Sequence, residues 1–428
     1  MNYTKQTYLV AFALFSLFFG AGNLILPPFL GYNAGSSWAW VAIGFALSGV
    51  VIPILAIYGY ARLQGTLLDF AKKVSPRFAL VYAIIVYVIC VSLPSPRTAS
   101  VAYQIAIAPY FDISSLSVSI VYFTLVLLFA LNRTHILSLI GKFLTPLIIL
   151  ILLLIITLGF FADPAPMGST IFENTFTNGI LEGYQTFDAL GGVVVGGVIV
   201  ISLALQGKYN YQEKKRMIAR SGSIAGIGLF LIYSGLIALG AYYSSDLQIT
   251  ERTELLKILS KNTLGSYGTA FLGVLVALAC FTTAVGIVTG TADFVKGIAK
   301  NTPWAYTVTS AIGCLIGVLV GQFDVGFIIN VALPALMFIY PMTIVLIILN
   351  SIPTRLSSAL IFKAVTITTF VFSIPDFLQF FMTPGSLDGI KKWIPFADQG
   401  MGWILPGLLV FIAVTIFEHY KKTASIEG

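Results

Sequence analysis

The chain has 428 residues, 58% of them hydrophobic and only 10% charged, with a mean hydropathy of +0.94 and a formal net charge of +7. Soluble domains carry about 45–50% apolar and about 25% charged residues, and single cores stop growing beyond ~250–300 residues. A cytosolic globular enzyme, a disordered chain and a nucleic-acid-binding protein are therefore excluded, and the positive balance reads as basic loops on one side of a membrane.

A membrane helix takes ~20 mostly apolar residues. Twelve such spans are predicted, over roughly 8–31, 38–61, 78–107, 115–131, 137–161, 176–205, 222–244, 265–299, 303–321, 325–349, 357–382 and 400–420. Ten spans with re-entrant pieces are the alternative. The first stretch follows a single Lys5 and is too long for the apolar region of a cleaved signal, so it counts as a span. With the N-terminus inside, 18 of the 24 Lys and Arg residues fall on the cytoplasmic side, five fall outside and Arg97 lies within a span. Both termini are then cytoplasmic in a multi-pass membrane protein.

Cys90, Cys280 and Cys314 sit in apolar runs without disulfide or metal-ligand spacing. His135 and His419 stand alone, so no Ser–His–Asp set and no enzyme is indicated. The polar loop around 245–264 places Leu255, Leu256, Ile258 and Leu259 among Glu251, Glu254, Lys257 and Lys261. It reads as an amphipathic extracellular lid or as a mere connector. Nothing points to an obligatory protein partner; the lipid bilayer is the surrounding phase.

Two spans carry breakers. The first reads Phe15-Ser16-Leu17-Phe18-Phe19-Gly20-Ala21-Gly22-Asn23-Leu24-Ile25-Leu26-Pro27-Pro28. The sixth reads Tyr184-Gln185-Thr186-Phe187-Asp188-Ala189-Leu190-Gly191-Gly192-Val193. Unwound backbone is tolerated at membrane depth only when buried in protein or lining a cavity. Broken spans at corresponding places in two halves point to a transporter site. Spans 1 and 6 are five apart, so a repeat of five returns inverted. That divides the chain into 1–165, 166–350 and a peripheral pair over 351–428. The alternative is that each Gly pair serves only close helix packing.

A half-helix starting at Gly22-Asn23 offers free N–H groups and a positive dipole end to a carboxylate, without any Arg. Half-helices ending near Phe19 and Phe187 leave carbonyls for an ammonium group or a bare cation. Both features together fit a zwitterion, and the apolar neighbours Leu24, Phe19, Phe187 and Leu190 favour an aliphatic amino acid. In span 8, Ala279, Thr282 and Thr283 share one helix face. Their oxygens, with two carbonyls from span 1, make an all-oxygen shell suited to Na⁺. The alternative is that both hydroxyls back-bond to their own helix. Arg97, in Ser92-Leu93-Pro94-Ser95-Pro96-Arg97-Thr98-Ala99, either pairs with Asp188 at depth or snorkels from an outer edge. Lys142 snorkels at the end of span 5, or its ammonium assists coupling. Proton coupling through Asp188 or Lys142 is the rival to Na⁺.

Phe15 to Pro28 resembles the first span of the bacterial branched-chain amino acid:cation symporters, the BrnQ-type carriers. Pro96-Arg97-Thr98-Ala99 and Thr282-Thr283-Ala284 are similar to that family's third and eighth spans. The resemblance implies Na⁺-driven symport of leucine, isoleucine and valine by alternating access. It also implies a LeuT-like fold of the amino acid–polyamine–organocation superfamily, an all-α bundle of about twelve transmembrane helices with a 5+5 inverted repeat and broken helices 1 and 6. By position in that fold, Na⁺ ligands fall at the carbonyls of Ser16 and Phe19 and at Ala279, Thr282 and Thr283. Substrate contacts fall at Ala21, Gly22, Asn23, Thr186, Phe187 and Ala189. One position departs: the span 6 Thr that binds a second Na⁺ in neurotransmitter-type carriers is Phe187 here, so a second, substrate-linked site is not implied.

Overall fold

The computed structural model describes residues 3–132, 145–161, 166–205, 207–245, 249, 252–265, 268–383 and 385–427. All regular structure among them is helical. Lys142 lies outside the described residues. The first span is two helices, α1 (Tyr3–Phe18) and α2 (Ala21–Ala34). The second is α3 (Trp38–Ala46) and α4 (Ile52–Leu63), joined by one wide turn at Leu47–Val51. A short α5 (Leu67–Ala71) precedes α6 (Pro76–Ser92) and α7 (Pro94–Ala102), which form the third span. Then come α8 (Ser115–Leu131), α9 (Thr145–Phe161), the pair α10 (Thr175–Tyr184) and α11 (Asp188–Leu205), and α12 (Tyr211–Tyr242). The chain continues with α13 (Arg252–Leu264), α14 (Gly268–Ile298), α15 (Pro303–Gly321), α16 (Val325–Ser351), α17 (Ala359–Leu378), α18 (Asp388–Lys391) and α19 (Ile404–Glu427).

By length and composition, nine helical stretches among the described residues can cross a membrane. They accommodate ten of the twelve predicted spans, the first of them in its second half only. The stretch Ala21–Leu63 has 43 residues, or ~65 Å at ~1.5 Å per residue, twice the ~30 Å hydrocarbon thickness. It turns at Gly35, whose φ of +51° suits glycine, and so holds the second half of span 1 and all of span 2. Spans 4 and 5 are the shorter apolar helices α8 and α9.

The seventh span begins at Tyr211, earlier than its apolar run, because Asn210 and Glu213 form a capping box that starts the helix in the charged segment. α12 packs along both α1 and α2. The crossing with α2 is close: a Cβ on Gly31 would overlap the Ile237 carbonyl, and one on Gly240 the Pro28 carbonyl. Small residues are what allow such approach between membrane helices. α17 packs on α16 and α19. α19 is the least covered span, with 6% of its apolar window buried, so it borders the lipid.

The first break falls at Phe19-Gly20, with α2 starting at Ala21. The second falls at Gln185-Thr186-Phe187, where Phe187 adopts φ +66°. The Gly pair expected to mark that break is helical instead. Gly191 and Gly192 lie inside α11, and Gly192 gives close contact with Pro53 and Ala56 of span 2. Gly192 serves packing, Gly191 faces open space, and a left-handed Phe carries the turn.

Candidate functional site

The broken ends converge. Leu17 and Gly20 to Asn23 from span 1, Thr186 to Asp188 and Gly191 from span 6, Arg97 from α7 and Thr283 from α14 line one buried cavity of about 30 Å³. That volume holds water but no amino acid, so these walls must part for a larger ligand to enter.

Two helix N-termini open here, and they differ. At α11, Asp188 N–H donates to Thr186 Oγ1 at 3.1 Å and Ala189 N–H to Tyr340 Oη at 3.0 Å. The protein's own hydroxyls satisfy that end. At α2 the N-cap is Gly20, which makes no side-chain cap, so first-turn N–H groups at Ala21, Gly22 and Asn23 are left for a ligand. This is the break at which the sequence expects an anion subsite. Arg97 stands over it: a Cβ on Gly22 would overlap Arg97 Nη2. A carboxylate brought to α2 meets a guanidinium as well as backbone donors, contrary to the expectation that no Arg takes part.

Arg97 is 2% exposed, which removes the snorkelling alternative. Its Nη1 donates to the Gln185 carbonyl at 2.8 Å, and its guanidinium lies 5.0 Å from the Phe187 ring centroid. It does not form the expected ion pair with Asp188. Asp188, 3% exposed, accepts instead from Asn23 Nδ2, which also reaches Tyr233 Oη. The physical reason is direction. The guanidinium is drawn to the carbonyl end of α10, where free acceptors and the negative dipole end lie, while Asp188, the first residue of α11, turns to Asn23 of α2. Both charges still share one water-poor cavity.

On the other side of the break, Ser16 and Thr282 are both fully buried. Ser16 Oγ donates to Thr282 Oγ1 at 2.9 Å. Thr282 Oγ1 lies 3.0 Å from both the Ser16 and the Ala279 carbonyl oxygens. The contact to Ala279 is the back-bond to its own helix, but the reach to Ser16 crosses to α1. Thr283 Oγ1 lies 3.3 Å from the carbonyl of Leu17, which sequence reasoning did not single out. Phe19 sits in the break with its ring stacked on Phe15 and Tyr233. Three hydroxyl and three carbonyl oxygens, all neutral, therefore converge from α1 and α14. Among the described residues no cluster of His, Cys, Asp or Glu competes for a metal.

Above the site, α13 is the amphipathic helix read from the 245–264 loop. Leu255, Leu256 and Leu259 are buried, and the helix packs on α2, α9 and α14. Its first residue, Arg252, grips α10. Nη1 and Nη2 meet the two Glu182 carboxylate oxygens at 3.0 and 3.1 Å, and Nη1 reaches Gln185 Oε1 at 3.0 Å. Bidentate pairs of this kind are geometrically specific. Arg252 thus holds Gln185, whose backbone carbonyl holds Arg97. Replacing Arg252 by Ala should speed dissociation of bound substrate several-fold while leaving the amount of protein in the membrane unchanged. Dissociation of labelled ligand from the purified protein checks this, and an unchanged rate would make α13 a connector.

A family model described as "Branched-chain amino acid transport protein" matches residues 3–421. The chain belongs to this family. It is a transport protein, and not an enzyme. It is 32% identical over 419 residues to the branched-chain amino acid permease BraB of Bacillus subtilis, covering 95% of this chain and 94% of that one. It is also 32% identical over 433 residues to the branched-chain amino acid transport system 2 carrier protein of Pseudomonas aeruginosa, covering 98% of each. Among solved structures, inward-facing Mhp1 matches with a TM-score of 0.58 at 14% identity, covering 97% of this chain and 91% of that one. A Na⁺-coupled sialic acid symporter in a substrate-bound outward-open state matches with 0.60 at 12%, covering 96% and 89%. The fold is therefore the LeuT-like one that the resemblance implied, in a multi-pass membrane protein.

Sequence reasoning missed Tyr233, Tyr340 and Gln185. The two tyrosines lie in ordinary apolar runs of α12 and α16, and only the fold brings them to the breaks. It also missed Asp376, 1% exposed near the end of α17 and away from this site.

Proposed function

We propose that the chain is a secondary active transporter that carries leucine, isoleucine and valine together with Na⁺ by alternating access. The substrate class is supported by family membership and by the names of relatives that match over nearly the whole chain. The observation that carries the mechanism is the convergence of two broken helices on one buried cavity, with an uncapped α2 N-terminus and Arg97 on one side and hard oxygens on the other. The substrate carboxylate would take the α2 N–H groups and Arg97. Its ammonium would face Asp188 and the carbonyl ends of the breaks. Thr186, Phe187 and Ala189 would complete the site. Na⁺, as co-substrate, would be held by the Ser16 and Ala279 carbonyls and by Thr282 and Thr283, with Phe19 closing the break beside it. A cavity of about 30 Å³ agrees with a cycle in which the site opens to one side at a time.

The division into inverted repeats over 1–165 and 166–350, with 351–428 peripheral, belongs to this reading. So does the orientation with both termini cytoplasmic, which rests on the Lys and Arg asymmetry. Labelled leucine flux into proteoliposomes, with and without a Na⁺ gradient, tests the whole. Gradient-independent accumulation would overturn the coupling.

Thr282→Ala and Thr283→Ala should each raise the Na⁺ concentration for half-maximal leucine uptake about tenfold or more, equivalent to ~1.4 kcal/mol. Each removes a hard oxygen at little packing cost. Na⁺ activation curves measured at equal protein abundance decide it; curves that overlay the unsubstituted protein would remove these residues from the cation site.

A further inference from the structure

A second cavity, of about 420 Å³, lies outside the one between the breaks. It is bounded by the wide turn of span 2, by α10, by the second half of α16 and by α19. Leu47, Ile348 and Leu408 line it and are also 38–50% exposed on the membrane-facing surface. Its walls are almost wholly apolar. The Ser48 hydroxyl is already used, donating to the Ile180 carbonyl at 2.8 Å. Trp403 is the exception. It is 6% exposed, and its Nε1–H faces the Tyr184 hydroxyl.

A dry apolar cavity that opens onto hydrocarbon is not stabilised by water, which needs polar partners. Left unfilled, it forfeits the dispersion contacts of its lining. An occupant that suits it is a long apolar chain that enters from the hydrocarbon and lies beside the Trp403 indole. We propose that this crevice is a binding site for one phospholipid. One acyl chain would run along α16 and α19, past the Trp403 indole, while the glycerol and headgroup stay at the membrane surface. The site touches the transport machinery through Ile180 and Tyr184, since Tyr184 is the last residue of α10 before the break and stacks on Tyr340 with centroids 4.4 Å apart. The inference uses the membrane location and not the substrate assignment.

The test uses full-length protein in which Trp38, Trp40, Trp304 and Trp393 are replaced by Phe, so that Trp403 is the sole indole. It is reconstituted in phosphatidylglycerol vesicles containing increasing amounts of phospholipid with brominated acyl chains. Trp403 fluorescence should be quenched saturably, at a brominated fraction several-fold below that needed for a reference indole on the lipid face, Leu409→Trp in a background with no other indole. The filling variant Ile348→Phe with Leu408→Phe should lose the saturable component. Quenching no stronger than the reference, or unaffected by filling, overturns the proposal. So does quenching that appears only when protein is diluted in the bilayer, which would mark a second copy as the occupant. Should the substituted proteins fail to insert, native mass spectrometry of the unsubstituted protein decides the question. One retained phospholipid is expected, and none retained overturns the site.

Discussion

Gly22→Val should leave a normally inserted protein that no longer binds leucine, with affinity lowered at least tenfold, ~1.4 kcal/mol or more. A Cβ at Gly22 would overlap Arg97 Nη2 and approach the Thr186 Cα to 3.4 Å, so the variant displaces the guanidinium and covers the α2 N–H groups together. Leucinamide should compete far less well than leucine. Without the carboxylate, buried donors are left unpaired, at a cost on the order of 1–3 kcal/mol or more. Equal competition by leucinamide, or normal affinity in Gly22→Val, would place the substrate elsewhere. Because Arg97 stands over the start of α2, Arg97→Lys separates the two contributions. The charge stays, but the planar fork that serves Gln185 and lies over Phe187 is gone. Leucine binding that survives in Arg97→Lys and fails in Gly22→Val would assign the carboxylate chiefly to the backbone.

How far the sequence reveals this site follows from how local each feature is. The break in span 1 is legible because Gly-Ala-Gly-Asn is a poor helix segment and two prolines follow. The Thr282–Thr283 face is legible because helical spacing alone puts it beside Ala279. The amphipathic helix α13 shows in the alternation of Leu and charge. The break in span 6 is displaced from the Gly pair because its turn residue is Phe187 at φ +66°, a conformation that no propensity rule assigns to Phe. Arg97 is legible as functional but not in its partner. Direction depends on where the end of α10 comes to lie, and a neutral backbone carbonyl leaves no mark in a sequence. Tyr233 and Tyr340 are apolar by composition and polar only by placement.

Asp188 and Arg97 should prove energetically coupled although they do not touch. Each is almost fully buried in the same cavity, where the effective dielectric is low and opposite charges sense one another over longer distances than in water. Neutralising one leaves the other buried without compensation, which costs several kcal/mol in comparable sites. Neutralising both removes the imbalance. Arg97→Gln and Asp188→Asn should each lower leucine binding strongly. In the double variant the loss should be smaller than the sum, by roughly 0.5–3 kcal/mol, the range found for residues in one network. A leucine zwitterion lying between them would enlarge that difference, since its carboxylate is proposed to face Arg97 and its ammonium Asp188. The cycle is therefore best run on thermal stability in detergent, both without and with saturating leucine. Coupling that grows on adding leucine supports a substrate bridging the two charges. Strict additivity in both conditions would leave Arg97 as the residue that fixes the end of α10 through Gln185, and Asp188 as the acceptor that fixes Asn23.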